Sequence, residues 1–187
     1  MMKLIQIALI GLLTTSSLAW AEQTITTNPV TGVQTWKNQA YGVSFSMKQL
    51  LPDQVRGFFV SRGFSVEQID SYATSCVYMM ILSNDQAPGV VHFVLNKWSV
   101  VSESGSRPPM DTNNWLQRLQ QSEAKKSALI AFRWAQFPPE HEYEPNGDWN
   151  QGMLAAGLPA GSSFDLVVRW DVDGKPYEGV LKNVQCP

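Results

Sequence analysis

From Phe164 to Val172 the chain alternates: Phe164, Leu166, Val168, Trp170 and Val172 are apolar, with Asp165, Val167, Arg169 and Asp171 between them. A period of two marks a strand with one face against a core. Asp173-Gly174 follows, then a second run from Lys175 to Val184, and an Asp-Gly between two such runs predicts a β-hairpin. Tyr41 to Lys48 alternates in the same way, with Tyr41, Val43, Phe45 and Met47 opposite Gly42, Ser44, Ser46 and Lys48. Three more runs are β-prone: Cys76 to Leu82, Val90 to Val101 and Ala128 to Ala135. In the second, Val91, Phe93 and Leu95 share one face, and His92, Val94, Asn96 and Trp98 the other. In the third, Ile130, Phe132 and Trp134 fall on one side.

Three segments carry helix signals instead. Pro52 opens Asp53 to Val60 as a first-turn proline, and Gly63 supplies a stop. Ser65 with Gln68 three residues later forms a capping box before the stripe Ile69, Tyr72 and Ala73. Asp111 caps a helix through Trp115, Leu116 and Leu119, ending near Lys125-Lys126, where positive charge suits a helix C-terminus. Ser102 to Pro109 is expected as a loop. Residues 137–161, with Pro138, Pro139, Pro145 and Pro159 and four glycines, are expected to be long and irregular.

This pattern predicts a mainly β fold, a β-sandwich immunoglobulin-like in the broad sense with two or three short helical insertions; the alternative is an α+β fold with an antiparallel sheet. Residues 22–40, polar and Thr-rich, are expected as an exposed N-terminal arm, and 41–187 as a single β-rich domain. The 44% apolar content is enough for a real core.

Residues 1–21 change the picture of where the domain works. Lys3, an apolar run from Leu4 to Leu13, and Ala19 and Ala21 ahead of Glu22 have the layout of a cleaved secretory signal peptide. The apolar run is too short to cross a bilayer, which takes roughly 20 residues. The expected product is soluble and exported, periplasmic or secreted, without a transmembrane segment. In that compartment the two cysteines, Cys76 and Cys186, are expected to form a disulfide. The formal charge of −2, with no basic block, argues against nucleic acid as a partner.

Candidate chemistry is sparse. No Gly-x-Ser-x-Gly or phosphate-cradling glycine loop is present. Glu140, His141, Glu142 and Glu144, with Asp148 beyond, bring carboxylates around a histidine, a grouping suited to acid–base or metal chemistry. No second histidine stands four residues on, so zinc-protease spacing is absent. Copper handling is the alternative cofactor chemistry, with His92, His141 and Met153 as its donors. Trp98, Trp134 and Trp170 share the parity of apolar positions and are expected in the core, whereas Trp149 stands in an otherwise polar stretch. The function expected is that of a non-enzymatic accessory or binding domain for an envelope protein or a small ligand. Its surface would comprise Glu140, His141, Tyr143, Asp148 and Trp149. A hydrolase built on Glu140, His141 and Asp148 ranks third.

Overall fold

A computed structural model describes residues 23–187 of the chain. The expected leader, residues 1–21, and its cleavage point before Glu22 lie outside the described residues. Eleven strands and four helices run through the described part. The strands are β1 (Thr24–Thr27), β2 (Gln34–Ala40), β3 (Val43–Gln49), β4 (Val77–Asn84), β5 (Val91–Val94), β6 (Ser99–Ser102), β7 (Gly105–Arg107), β8 (Glu140–Tyr143), β9 (Asp148–Ala155), β10 (Ser163–Val172) and β11 (Lys175–Gln185). The helices are α1 (Pro52–Val60), α2 (Val66–Ala73), α3 (Thr112–Gln121) and α4 (Lys126–Ala135).

Two antiparallel sheets stack face to face, the mainly β sandwich that the alternation predicts. The first has the order β1-β2-β3-β4-β9. The second centres on the β10–β11 hairpin, whose turn residues Asp173 and Gly174 both take the left-handed conformation such hairpins require. β5 and β6 lie end to end along the other side of β10, flanked by β8 and β7. Between the sheets the alternating residues meet: Trp36, Phe45, Met47, Tyr78, Met80 and Leu82 from one, Phe93, Trp98, Leu166, Val168 and Trp170 from the other. The sheets are also tied at one end. Gln49 Nε2 and the Tyr78 hydroxyl both donate to the Gln185 carbonyl, and Cys76 and Cys186 form the expected disulfide beside them.

The outer face of the first sheet carries the helices as a third layer. Val55 and Phe59, Ile69 and Tyr72, Trp115 and Leu119, and Ala128 and Phe132 pack over Val77, Met153 and Ala155 in a second core. The Ser65–Gln68 capping box and the Asp111 cap form as the sequence predicts.

Six expectations are corrected. The helix opened by Asp111 stops at Gln121, and Lys125 and Lys126 stand at the start of α4, not at a helix C-terminus. Ala128 to Ala135 belongs to helix α4, not a strand; positions 128 and 132 share a face under either periodicity, and Ile130 and Trp134 are exposed. Val90 to Val101 is not one strand: a 3₁₀ turn at Leu95–Lys97 resets its phase, so Trp98 and Val100 point inward with Val91 and Phe93. Within the expected loop Ser102 to Pro109, Gly105–Arg107 pairs with β6. Residues 34–40 of the expected arm are β2, with Trp36 buried. Residues 137–161 contain β8 and β9, and β9 pairs with β4 along its whole length. β8 leaves no alternation in the sequence because only Tyr143 is buried in it. β9 does not alternate either: its first half is largely exposed, and its second half is buried on both faces.

Candidate functional site

The residues singled out in the sequence divide between two neighbouring places. On the outward face of the second sheet, β8, β5 and β10 bring Glu140, His92 and Asp171 side by side. His92 Nε2 lies 2.8 Å from Glu140 Oε1, and Nδ1 lies 3.0 Å from Asp171 Oδ2. With a carboxylate on each ring nitrogen, the imidazolium satisfies both contacts as a double donor. Glu140 contributes most and Asp171 next, and together they hold the His92 pKa above the ordinary histidine value despite partial burial. The clamp joins three strands through a single side chain.

Beside it, a shallow groove of about 420 Å³ is bordered by His92, Lys97, Arg169, Asp171, Tyr177 and Glu178. Its strongest donor is already engaged. Arg169 donates to the Lys97 carbonyl at 2.6 Å, to the Ser99 hydroxyl at 2.9 Å and to Glu178 at 3.3 Å.

The second place is the end of the first sheet where β8 hands over to β9. Trp149 is 54% exposed there on an ordered strand, with Asp148 exposed before it and Gln151 after it. Asp148 Oδ2 accepts from the Glu144 amide at 3.1 Å, closing the short connection between the two strands. Beneath it Asn84, fully buried, donates to the Tyr143 and Gly89 carbonyls and accepts from the Ala87 amide. Asp148 stands opposite Asn84 in register, which fixes the corner to the sheet.

The strand geometry of β8 breaks up the expected grouping. Successive side chains point to opposite faces, so Glu140 turns to His92 whereas His141 turns away, with its ring edge-on to Tyr143 at 4.8 Å. Glu140, His141 and Asp148 therefore do not form an acid–base set. Tyr143 is no part of a surface either: it is fully buried and stacked on Phe93, and its phenol is pushed up chiefly by burial and further by the Asp148 charge. Met153 is buried beneath the helices. Among the described residues no three His, Cys, Asp or Glu side chains are arranged to hold a metal ion.

Comparison with protein-family models, known proteins and solved structures finds no match. The site is thus described by its own geometry. Sequence reasoning missed Asp171 and Asn84. Asp171 read as one outward residue in an alternating strand, and its pairing with His92 depends on β10 lying beside β5. Asn84 follows a β-prone run and adjoins Asp85, and nothing local marks it as buried.

Proposed function

We propose that the protein is an exported, non-enzymatic binding domain whose recognition surface is the Asp148–Gln151 end of β9 with the acidic connection before it. The observation that carries this reading is Trp149, a large aromatic half in solvent on an ordered strand held by a buried hydrogen-bond node. Exposed tryptophans beside polar groups anchor partners well, because they bring apolar area at low conformational cost. Export is supported by the layout of residues 1–21 and by the disulfide, which suits an oxidising compartment. No described helix is long and apolar enough to cross a membrane.

The test places a photo-crosslinking amino acid at position 149 in cells that produce the protein, with the same group at Tyr41, which is 65% exposed elsewhere, as control. A specific crosslinked product at 149 and none at 41 is expected, on a protein whose mature chain starts at Glu22 by intact mass. Equal labelling at the two positions would overturn the surface assignment. Trp149→Ala is expected to cost less than about 2 kcal/mol, since only about half of the ring's apolar area leaves contact. Trp36→Ala, at a core position, should cost about 3–5 kcal/mol.

A further inference from the structure

β9 ends the first sheet, so among the described residues one side of it has no neighbouring strand in the ladder. In an antiparallel pair, alternate residues turn both backbone groups toward the partner and the others turn both away. Which residues of β9 face away is fixed by two bonds. The Ala155 carbonyl accepts from the Met110 amide and the Met153 carbonyl from the Phe137 amide, both from outside the ladder with β4. The register with β4 continues without a shift to Asp148, so Gln151 and Trp149 also face outward. Among the described residues no backbone hydrogen bond from outside the ladder reaches those two. The lower half of the edge is therefore covered and, among the described residues, the upper half is open. At Gly152 the covering segment comes so close that a Cβ would sit 2.3 Å from the Phe137 nitrogen.

We propose that this open edge binds an extended segment of a partner protein by strand addition, and that the segment alternates apolar and basic residues. The proposal rests on the binding-domain reading above and specifies its mode. An added strand would pair through the N–H and C=O groups of Trp149 and Gln151. Its side chains would alternate with those of β9. On one face they would lie beside Trp149 and Gln151. The Gln136–Met153 bridge is parallel, so the chain before Gln136, the last turn of α4 with Trp134 84% exposed, lies toward this same stretch. That face suits apolar residues. On the other face they would lie beside Asp148, which holds the amide of the exposed Glu144, and that suits lysine or arginine. A second copy of the chain fits poorly, because antiparallel pairing through Trp149 and Gln151 would set each Asp148 opposite Gly152 of the other copy and offer it no basic residue.

The test uses the full mature protein and a defined probe, an acetylated six-residue peptide of alternating lysine and valine, followed by amide resonances and hydrogen exchange. The peptide is expected to slow exchange at Trp149 and Gln151 at least tenfold at saturation. A version N-methylated on alternate residues should lose at least tenfold in affinity, and so should a glutamate–valine counterpart. Gln151→Pro deletes the outward N–H without touching the ladder to β4, a substitution that edge strands tolerate. It should abolish the protection and leave the denaturation midpoint unchanged. No protection at millimolar peptide overturns the proposal, as does protection that survives N-methylation and Gln151→Pro. So does a concentration-dependent dimer in sedimentation that protects the same amides without peptide. If crosslinking at position 149 persists in Gln151→Pro, strand addition fails while the surface reading stands; if crosslinking at 149 fails in the parent, the surface reading itself falls.

Discussion

Replacing Cys76 and Cys186 together by alanine should destabilise the protein by about 4–5 kcal/mol. The bridge spans 110 residues of sequence and so closes most of the domain into one loop. Closing a loop of that length removes chain entropy from the unfolded state worth about 4.7 kcal/mol. The native state should hardly change, because the end of β11 is held independently. The Cys186 amide donates to the Ser162 carbonyl, its carbonyl accepts from Gly161, and Gln185 is fixed by Gln49 and Tyr78. Cys76 has a φ of 64°, and alanine meets the same left-handed cost, so backbone strain cancels between the two proteins. Equilibrium denaturation in urea measures the effect, and in a thermal scan it corresponds to a drop of roughly 10–20 °C. Thiol titration of the unfolded, unreduced parent should find no free thiol. A double variant within about 1 kcal/mol of the parent, at an unchanged denaturant slope, would refute the loop-closure reasoning.

The His92 clamp makes a pH-dependent contribution. A raised folded-state pKa means that its stabilisation is complete below the ordinary histidine value near 6.5 and is lost as pH rises through the raised one. His92→Gln should therefore destabilise more at pH 5.5 than at pH 9, and an equal difference at the two pH values in urea titrations would exclude a charged clamp. Asn84→Ala leaves the Tyr143 and Gly89 carbonyls and the Ala87 amide without their partner and should cost about 2–4 kcal/mol. A change below 1 kcal/mol would show that the node does not hold the corner. Equilibrium dialysis against copper and zinc should give no stoichiometric site tighter than micromolar, since His92 is held by carboxylates and His141 and Met153 lie apart from it; a one-to-one complex lost in His92→Gln would reverse that ranking.

The parts of the fold that were legible are those where one physical signal dominated. β10 alternates strictly because one face is core and the other solvent. The Ser65–Gln68 box and the Asp111 cap are local chemistry, readable without knowing the partner elements. Legibility failed where two environments overlapped. Residues 128–135 pack only Ala128 and Phe132 deeply, and that spacing of four does not separate helix from strand. β9 crosses from open edge to the doubly covered centre of a three-layer structure, so no single period runs along it. The site was legible in part for the same reason. Trp149 stands out in a polar stretch, whereas the partnership of His92 with Glu140 and Asp171 exists only once three strands distant in sequence lie side by side.

The corner at β9 combines openness with rigidity, and that combination is what separates a binding edge from a frayed one. Frayed edges have few buried bonds behind them. Here the Asn84 side chain holds the Tyr143 carbonyl where β8 ends, and the Asn84 carbonyl accepts from the Gly147 amide just before β9 begins. One buried residue thus fixes both ends of the connection, and Asp148 closes it from within through Glu144. β8 is held from its other side by the His92 clamp. An extended segment arriving at Trp149 and Gln151 would meet backbone groups already in strand geometry, so the entropy cost of ordering falls on the arriving segment alone. Long exposed edges invite indiscriminate pairing, and short, charge-bordered ones limit it. The open stretch of β9 is short, bordered by carboxylates and flanked at Gly152 by the Gln136–Phe137 segment, features that favour a selected partner over self-association.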